Sequence, residues 1–376
     1  RPRDWSSDVC SSDLRTTEAG TSGTTIGVVG GRWRATVDGR GRVVPDSGAA
    51  LDWWVAAEDR WHDPRAEATV RQHRVGGTPV VETRLRVPGG DVVHRVYAVA
   101  DAGGVTVVEI SNDSPASVAV VFSRGDLLSA RPPADVPIEG IDVPAGSVSF
   151  PVGHRASLRV ALAHGPASGV VLADLPPPDA VVRGWTRRCE AASRVLLPDA
   201  ALADRLVARR CDLLLDGPPD PKRNAAATLV GYGELVRMGA DAVDLVPDVV
   251  TVAERLAKSA RTCGLDWAGA TGLAAAERVL RAADDLRAAR DLAALRNRLG
   301  GDGAPTPVEE PEGALGIAWL EQRLARPMSG GRCVLFDEGF PREWLGSNLE
   351  VHNLPAGPAS SLGFAVRWHG ARPAGR

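Results

Sequence analysis

Pro79-Val80-Val81-Glu82-Thr83-Arg84-Leu85-Arg86-Val87, then Pro88-Gly89-Gly90-Asp91, then Val92-Val93-His94-Arg95-Val96-Tyr97-Ala98-Val99-Ala100, reads as two extended segments about a tight turn. Val81, Thr83, Leu85 and Val87 alternate with Glu82, Arg84 and Arg86. That two-residue period puts one face in a core and the other in water. The turn chemistry agrees, because glycine supplies positive φ while proline or aspartate stiffens the bend. The same pattern recurs on both sides, predicting strands at 25–30, 32–38, 69–75, 105–111, 117–123, 147–152 and 157–163. Strands linked by short hairpins form an antiparallel meander, and so many cannot remain one exposed sheet. Two packed sheets over 24–173 are the expected solution.

At Pro176-Pro177-Pro178 the character changes. Polyproline predicts a stiff linker at 174–181. Val182, Trp185, Cys189, Ala192 and Leu196 then fall at helical spacing, predicting an amphipathic helix with Trp185 buried between the two blocks. Asp199 is an expected cap for a helix at 200–215, and further helices read at 225–238, 247–260, 267–282 and 284–299. An acidic, proline-rich loop at 301–313 precedes a helix at 314–324 and a tail with strands at 333–336, 348–354 and 361–369. The fold class is therefore an α+β multidomain chain: an antiparallel β-sandwich, an α-helical bundle at 182–300, and a short C-terminal β segment within 314–376.

The formal net charge is −3, without the basic excess that nucleic-acid binding needs. Lysine stands only at Lys222 and Lys258, as a GC-rich bacterial genome would produce. No apolar run is long enough for a membrane span. Cys189, Cys211, Cys263 and Cys333 form no metal-ligand spacing and read as structural thiols. The chain implies no cofactor and no metal.

Asp4-Trp5-Ser6-Ser7-Asp8-Val9-Cys10-Ser11-Ser12-Asp13-Leu14 resembles the translation of one frame of a sequencing-library adapter. Residues 1–14 are therefore expected to be non-native and to make few contacts. On this reading the native start is missing, the end at Arg376 is a truncation, and the expected compartment is cytoplasmic unless a leader has been lost.

Trp53-Trp54-Val55-Ala56-Ala57-Glu58-Asp59-Arg60-Trp61-His62-Asp63 concentrates aromatic and ionisable groups. Trp54 and Trp61 can stack on sugar rings while Glu58, Asp59 and His62 bind hydroxyls, which makes these five the candidate glycan site. Trp53 and Trp54 are neighbours on a strand, so only one can enter the sandwich core. Arg124 with Asp126, His154 and His164 are further candidates, each with a purely structural alternative. Glu234, Asp244, Glu254, Glu277, Asp284 and Asp285 fit the solvated sides of their helices, so no catalytic residue is assigned.

Glu109-Ile110-Ser111-Asn112-Asp113-Ser114 within 105–122, followed by the linker helix at Trp185, resembles bacterial glycoside hydrolases with an N-terminal sandwich and an α/α toroid. The resemblance implies carbohydrate chemistry. Length opposes a complete toroid: Val182 to Gly300 is 119 residues, whereas twelve paired helices need roughly 190. The expected function is a non-catalytic binding or accessory protein whose sandwich loops contact a glycan or protein partner. The alternative is an incomplete carbohydrate-active enzyme.

Overall fold

Hairpin chemistry sets the first half of the chain. Its strands are β1 (Thr24–Gly27), β2 (Arg34–Val37), β3 (Val43–Pro45), β4 (Trp53–Ala56), β5 (Trp61–His62), β6 (Arg71–Arg74), β7 (Val81–Val87), β8 (Gly90–Val99), β9 (Val105–Asn112), β10 (Val118–Phe122), β11 (Leu128–Ser129), β12 (Val148–Val152) and β13 (Ser157–Ala163). The computed structural model describes residues 23–134, 140–165, 169–300, 305–328, 331–370 and 372–375; the expectation for residues 1–14 lies outside them. β7 and β8 form the quoted hairpin, paired from Val81↔Val96 to Val87↔Gly90. They belong to a six-stranded sheet of order β11-β13-β9-β8-β7-β6. A four-stranded sheet, β12-β10-β4-β5, supplies the second layer, and β1-β2-β3 is a smaller third sheet. Leu85, Val96 and Ile110 from the first sheet share one core with Trp53, Val120 and Phe150 from the second and Ile26 and Val37 from the third.

The outward face of the large sheet is less watery than alternation predicts. Glu82 is buried, accepting from Arg84 Nε (2.7 Å) and Arg95 Nε (2.6 Å). Arg95 also lies 3.8 Å from Glu109, which accepts from Arg159 at 2.9 Å. Glu82, Arg95, Glu109 and Arg159 are direct register partners, so charges alternate across four strands. Beside this ladder, Tyr97, Val99, Val105 and Val107 form an apolar patch covered by Leu175, Val181 and Val182.

Those valines belong to α1 (Pro178–Glu190), which begins inside the proline run. Proline costs little there because the first-turn N–H has no helical partner. The expected helix to Leu196 is corrected: α1 ends at Glu190, and β14 (Arg194–Leu196) pairs with the C-terminal tail. Trp185 is 9% exposed and joins the core of the helical domain, while Val181 and Val182, a turn earlier, meet the sandwich.

The helices that follow are α2 (Ala200–Asp216), α3 (Ala225–Arg237), α4 (Val246–Cys263), α5 (Trp267–Ala282), α6 (Leu286–Arg298) and α7 (Gly313–Leu324). Asp199, Asn224, Asp266 and Asp285 cap α2, α3, α5 and α6, each accepting a first-turn N–H. The tail contributes β15 (Ala325–Pro327), β16 (Cys333–Leu335), β17 (Leu349–Gly357), β18 (Ser360–His369) and β19 (Arg372–Gly375). The expected terminal hairpin is thus the middle of a four-stranded sheet, β14-β17-β18-β19. Among the described residues no helix is long and apolar enough to cross a membrane.

α2 locks the two halves together. A Cβ at Gly77 (φ +71°) would stand 2.1 Å from the Asp204 carbonyl oxygen, so only glycine admits the helix here. Arg74 reaches across to Asp212 (2.7 Å), and Arg34 donates to the Leu215 carbonyl (2.6 Å).

Inside the sandwich, His94 is fully buried and stacked on Trp53, with ring centroids 4.4 Å apart. Burial holds its pKa down to about 3. The unfolded chain therefore takes up this proton first, and the stability that neutral His94 supplies above about pH 6.5 is lost as pH falls toward 3. Denaturant melts at pH 7.5 and 5 should show roughly 2 kcal/mol of acid-dependent loss that is missing from His94→Phe; an equal loss in both proteins would refute the assignment.

Candidate functional site

Two places concentrate chemistry. The first is the predicted tryptophan-rich segment on β4 and β5. Trp53 points into the sandwich core with Leu51 and Val55, as the strand alternation requires. Trp54 faces the other way but is only 1% exposed, with the Arg65 guanidinium 5.4 Å above its ring. It offers no open face for stacking on a sugar. Trp61 is partly exposed, and Glu58 and Asp59 are exposed. His62 is buried between two carboxylates, with Nε2 3.0 Å from Asp59 Oδ1 and Nδ1 3.0 Å from Glu67 Oε1. The bond to His62 holds the Asp59 carboxyl below its usual value, and that from Arg60 does the same for Glu67. Of the five predicted residues, the structure joins Asp59 to His62 and leaves the others apart.

The lesser candidates are satisfied locally. Arg124 chelates Asp126 and donates to the Ala49 carbonyl, pinning a loop. His154 contacts the Ser114 carbonyl at 2.6 Å. His164 stacks on Trp33 and meets Thr106 Oγ1 at 2.8 Å.

The second place lies in the helical domain and was not expected. Glu234 and Glu277, read as solvated, are both buried; Asp244, Glu254 and Asp284 are exposed as predicted. Glu234 belongs to a closed ion network. Arg210, 1% exposed, donates to Glu321 (2.7 Å), Glu234 (3.3 Å), the Ser193 hydroxyl (2.8 Å) and the Ser193 carbonyl (3.0 Å). Arg237 donates to both Glu321 oxygens (2.8 and 3.0 Å), to Glu234, and to the carbonyls of Ala192 and Asn353. Burial alone would raise the Glu321 carboxyl, but the Arg237 and Arg210 guanidiniums more than offset it and hold the group charged.

Glu234 and Glu321 of this network form one wall of a cavity of about 430 Å³. The other walls come from α5, α6, α7, β15 and residues 355–360 at the tip of the β17–β18 hairpin. On α5, Ala270, Thr271 and Ala274 leave the space, and Glu277, Arg278 and Arg281 give it charge. Glu277 Oε1 accepts from Arg281 (2.8 and 3.0 Å), whereas Oε2 is buried and accepts no hydrogen bond, with Arg296 Nη2 3.7 Å away. Trp267 is fixed by donating to Gln322 (2.7 Å). α5 is positioned by close approach to α3: a Cβ at Gly272 would sit 3.0 Å from Ala226 Cα, and one at Gly233 3.0 Å from Ala275 Cβ.

A signal for this site stood in the sequence. Between Ala225 and Glu234, α3 is apolar or small at nearly every position, and a helix apolar all round is buried. Its glutamate must then be buried and paired as well. Among the described residues no group of three His, Cys, Asp or Glu side chains is arranged to hold a metal. No protein-family model matches the chain, and no curated protein sequence matches it significantly.

Arg237→Met should cost about 3–5 kcal/mol, because it strands two buried carboxylates, whereas Arg194→Met, which breaks an exposed pair with Glu190 (3.5 Å), should cost about 1 kcal/mol or less. Equilibrium urea unfolding of the two variants checks the contrast, which similar losses would contradict.

Proposed function

We propose that this chain is a non-catalytic binding protein, that the helical-domain cavity is its site, and that the ligand is a polyhydroxylated molecule of monosaccharide size. The polar lining carries this reading: Glu277 and Arg281 of α5 stand on the cavity wall, where a ligand hydroxyl meets both a carboxylate and a guanidinium. Thr271, Asn297 and Gln322 line the same space and supply further hydroxyl partners. The volume suits one sugar ring, since ligand sites commonly enclose ~300–1,000 Å³.

Binding is favoured over cleavage by the state of the other carboxylates. Glycosidic hydrolysis by a carboxylate pair needs one of them protonated. Glu321 is held charged by two guanidiniums, and Glu234 accepts from the same two. The sandwich loop with Trp61 and Asp59 is the competing location for a glycan.

Titrating mono- and oligosaccharides while following tryptophan fluorescence tests the proposal. Saturable binding is expected for at least one sugar, retained in Trp61→Ala and lost in Ala274→Phe, which fills the cavity. Circular dichroism checks that Ala274→Phe stays folded. If no sugar saturates, or if Trp61→Ala abolishes binding while Ala274→Phe keeps it, the cavity is not the glycan site.

A further inference from the structure

The arginines around the cavity are not all matched by carboxylates. Arg210 and Arg237 are shared between Glu234 and Glu321. Arg326 pairs with Asp337 (2.9 Å), Arg281 is taken by Glu277 (2.8 Å), and Arg296 lies 3.7 Å from the other Glu277 oxygen. Arg278 remains. It stands on the cavity wall, partly buried, with no hydrogen bond or ion pair to any described residue. Burial and then the neighbouring Arg237 charge depress its pKa below the usual arginine value, against the pull of Glu234, Glu321 and Glu277. An arginine stays charged at neutral pH nonetheless. A guanidinium in this setting lacks the counter-ion that buried charges ordinarily have. Its planar fork of donors matches an oxyanion with two coplanar or tetrahedral oxygens.

From this juxtaposition we infer that the cavity takes an acidic ligand, a sugar carrying a carboxylate or phosphate, with Arg278 binding the anionic group and Thr271, Asn297 and Gln322 its hydroxyls. The inference rests on the proposed small-molecule site and narrows its ligand class. Arg278 shares the cavity with Thr271, Asn297 and Gln322, so an unmatched cation and hydroxyl-binding groups face the same space. A neutral sugar satisfies only the second. An inorganic anion satisfies only the first.

Calorimetric titrations of the full chain at low ionic strength, with D-glucose, D-glucuronate and glucose 6-phosphate as probes, test this. At least one acid should bind ten-fold or more tightly than glucose, and Arg278→Met should erase that preference while glucose affinity stays within about three-fold. Preference for glucuronate alone identifies a carboxylate ligand, and preference for glucose 6-phosphate alone a phosphate. Arg278→Met should melt no lower than the wild type, because it removes an uncompensated charge and fills similar space. If all three probes bind equally and Ala274→Phe removes them, the cavity is a sugar site and the anion inference is wrong. A preference that survives Arg278→Met also overturns it. If no probe binds, both this inference and the cavity reading fail.

Discussion

The ion network of Arg210, Glu234, Arg237 and Glu321 is the constraint on which the helical half depends. It draws one side chain from α2, two from α3 and one from α7, and it reaches the backbone at Ala192, Ser193 and Asn353. Replacing such a cluster by apolar residues is often neutral or stabilising, so its value is not simply energetic. What it fixes is arrangement. Each guanidinium has its donors committed in several directions, so α2, α3, α7 and β17 have one mutual placement that satisfies them. Asn353 shows how local the demand becomes: its backbone adopts φ +59° while its side chain donates to the Ala191 and Ala192 carbonyls.

Two close approaches extend that placement outward. The glycine and alanine seam between α3 and α5 brings Glu277 and Arg278 alongside the network without a spacer of larger side chains. The contact of α2 with Gly77, with Arg74 on Asp212, ties the same helix to the sandwich. α2 therefore carries a network arginine and the docking surface within three turns. The cavity and the sandwich share a rigid part.

Much of the architecture was legible. Turn residues and two-residue alternation marked the long strands, and the capping Asp199 marked the start of α2. The strands that were missed are short, as at Val43–Pro45 and Leu128–Ser129, and draw their identity from neighbours distant in sequence. Arg194–Leu196 followed a helical period and became a strand because β17, some 155 residues later, needs an edge partner. The site was less legible. Tryptophans close in sequence suggested a common surface, but strand alternation and the Arg65 side chain separated Trp53, Trp54 and Trp61. Conversely, Glu234 and Glu321 share no local pattern, and only the packing of α3 against α7 brings them to the same two arginines.

A closed network of this kind also shapes how the chain can change over generations. Losing Arg210, Glu234, Arg237 or Glu321 alone strands a charge in the interior, so the path to an alternative core passes through unstable intermediates. Descendants of this fold should keep the four together or exchange them as a block for apolar residues. The exposed carboxylates outside the network, such as Glu254 and Asp284, drift independently. Kinship would then be written less in any contiguous motif than in a covarying quartet scattered over more than a hundred residues.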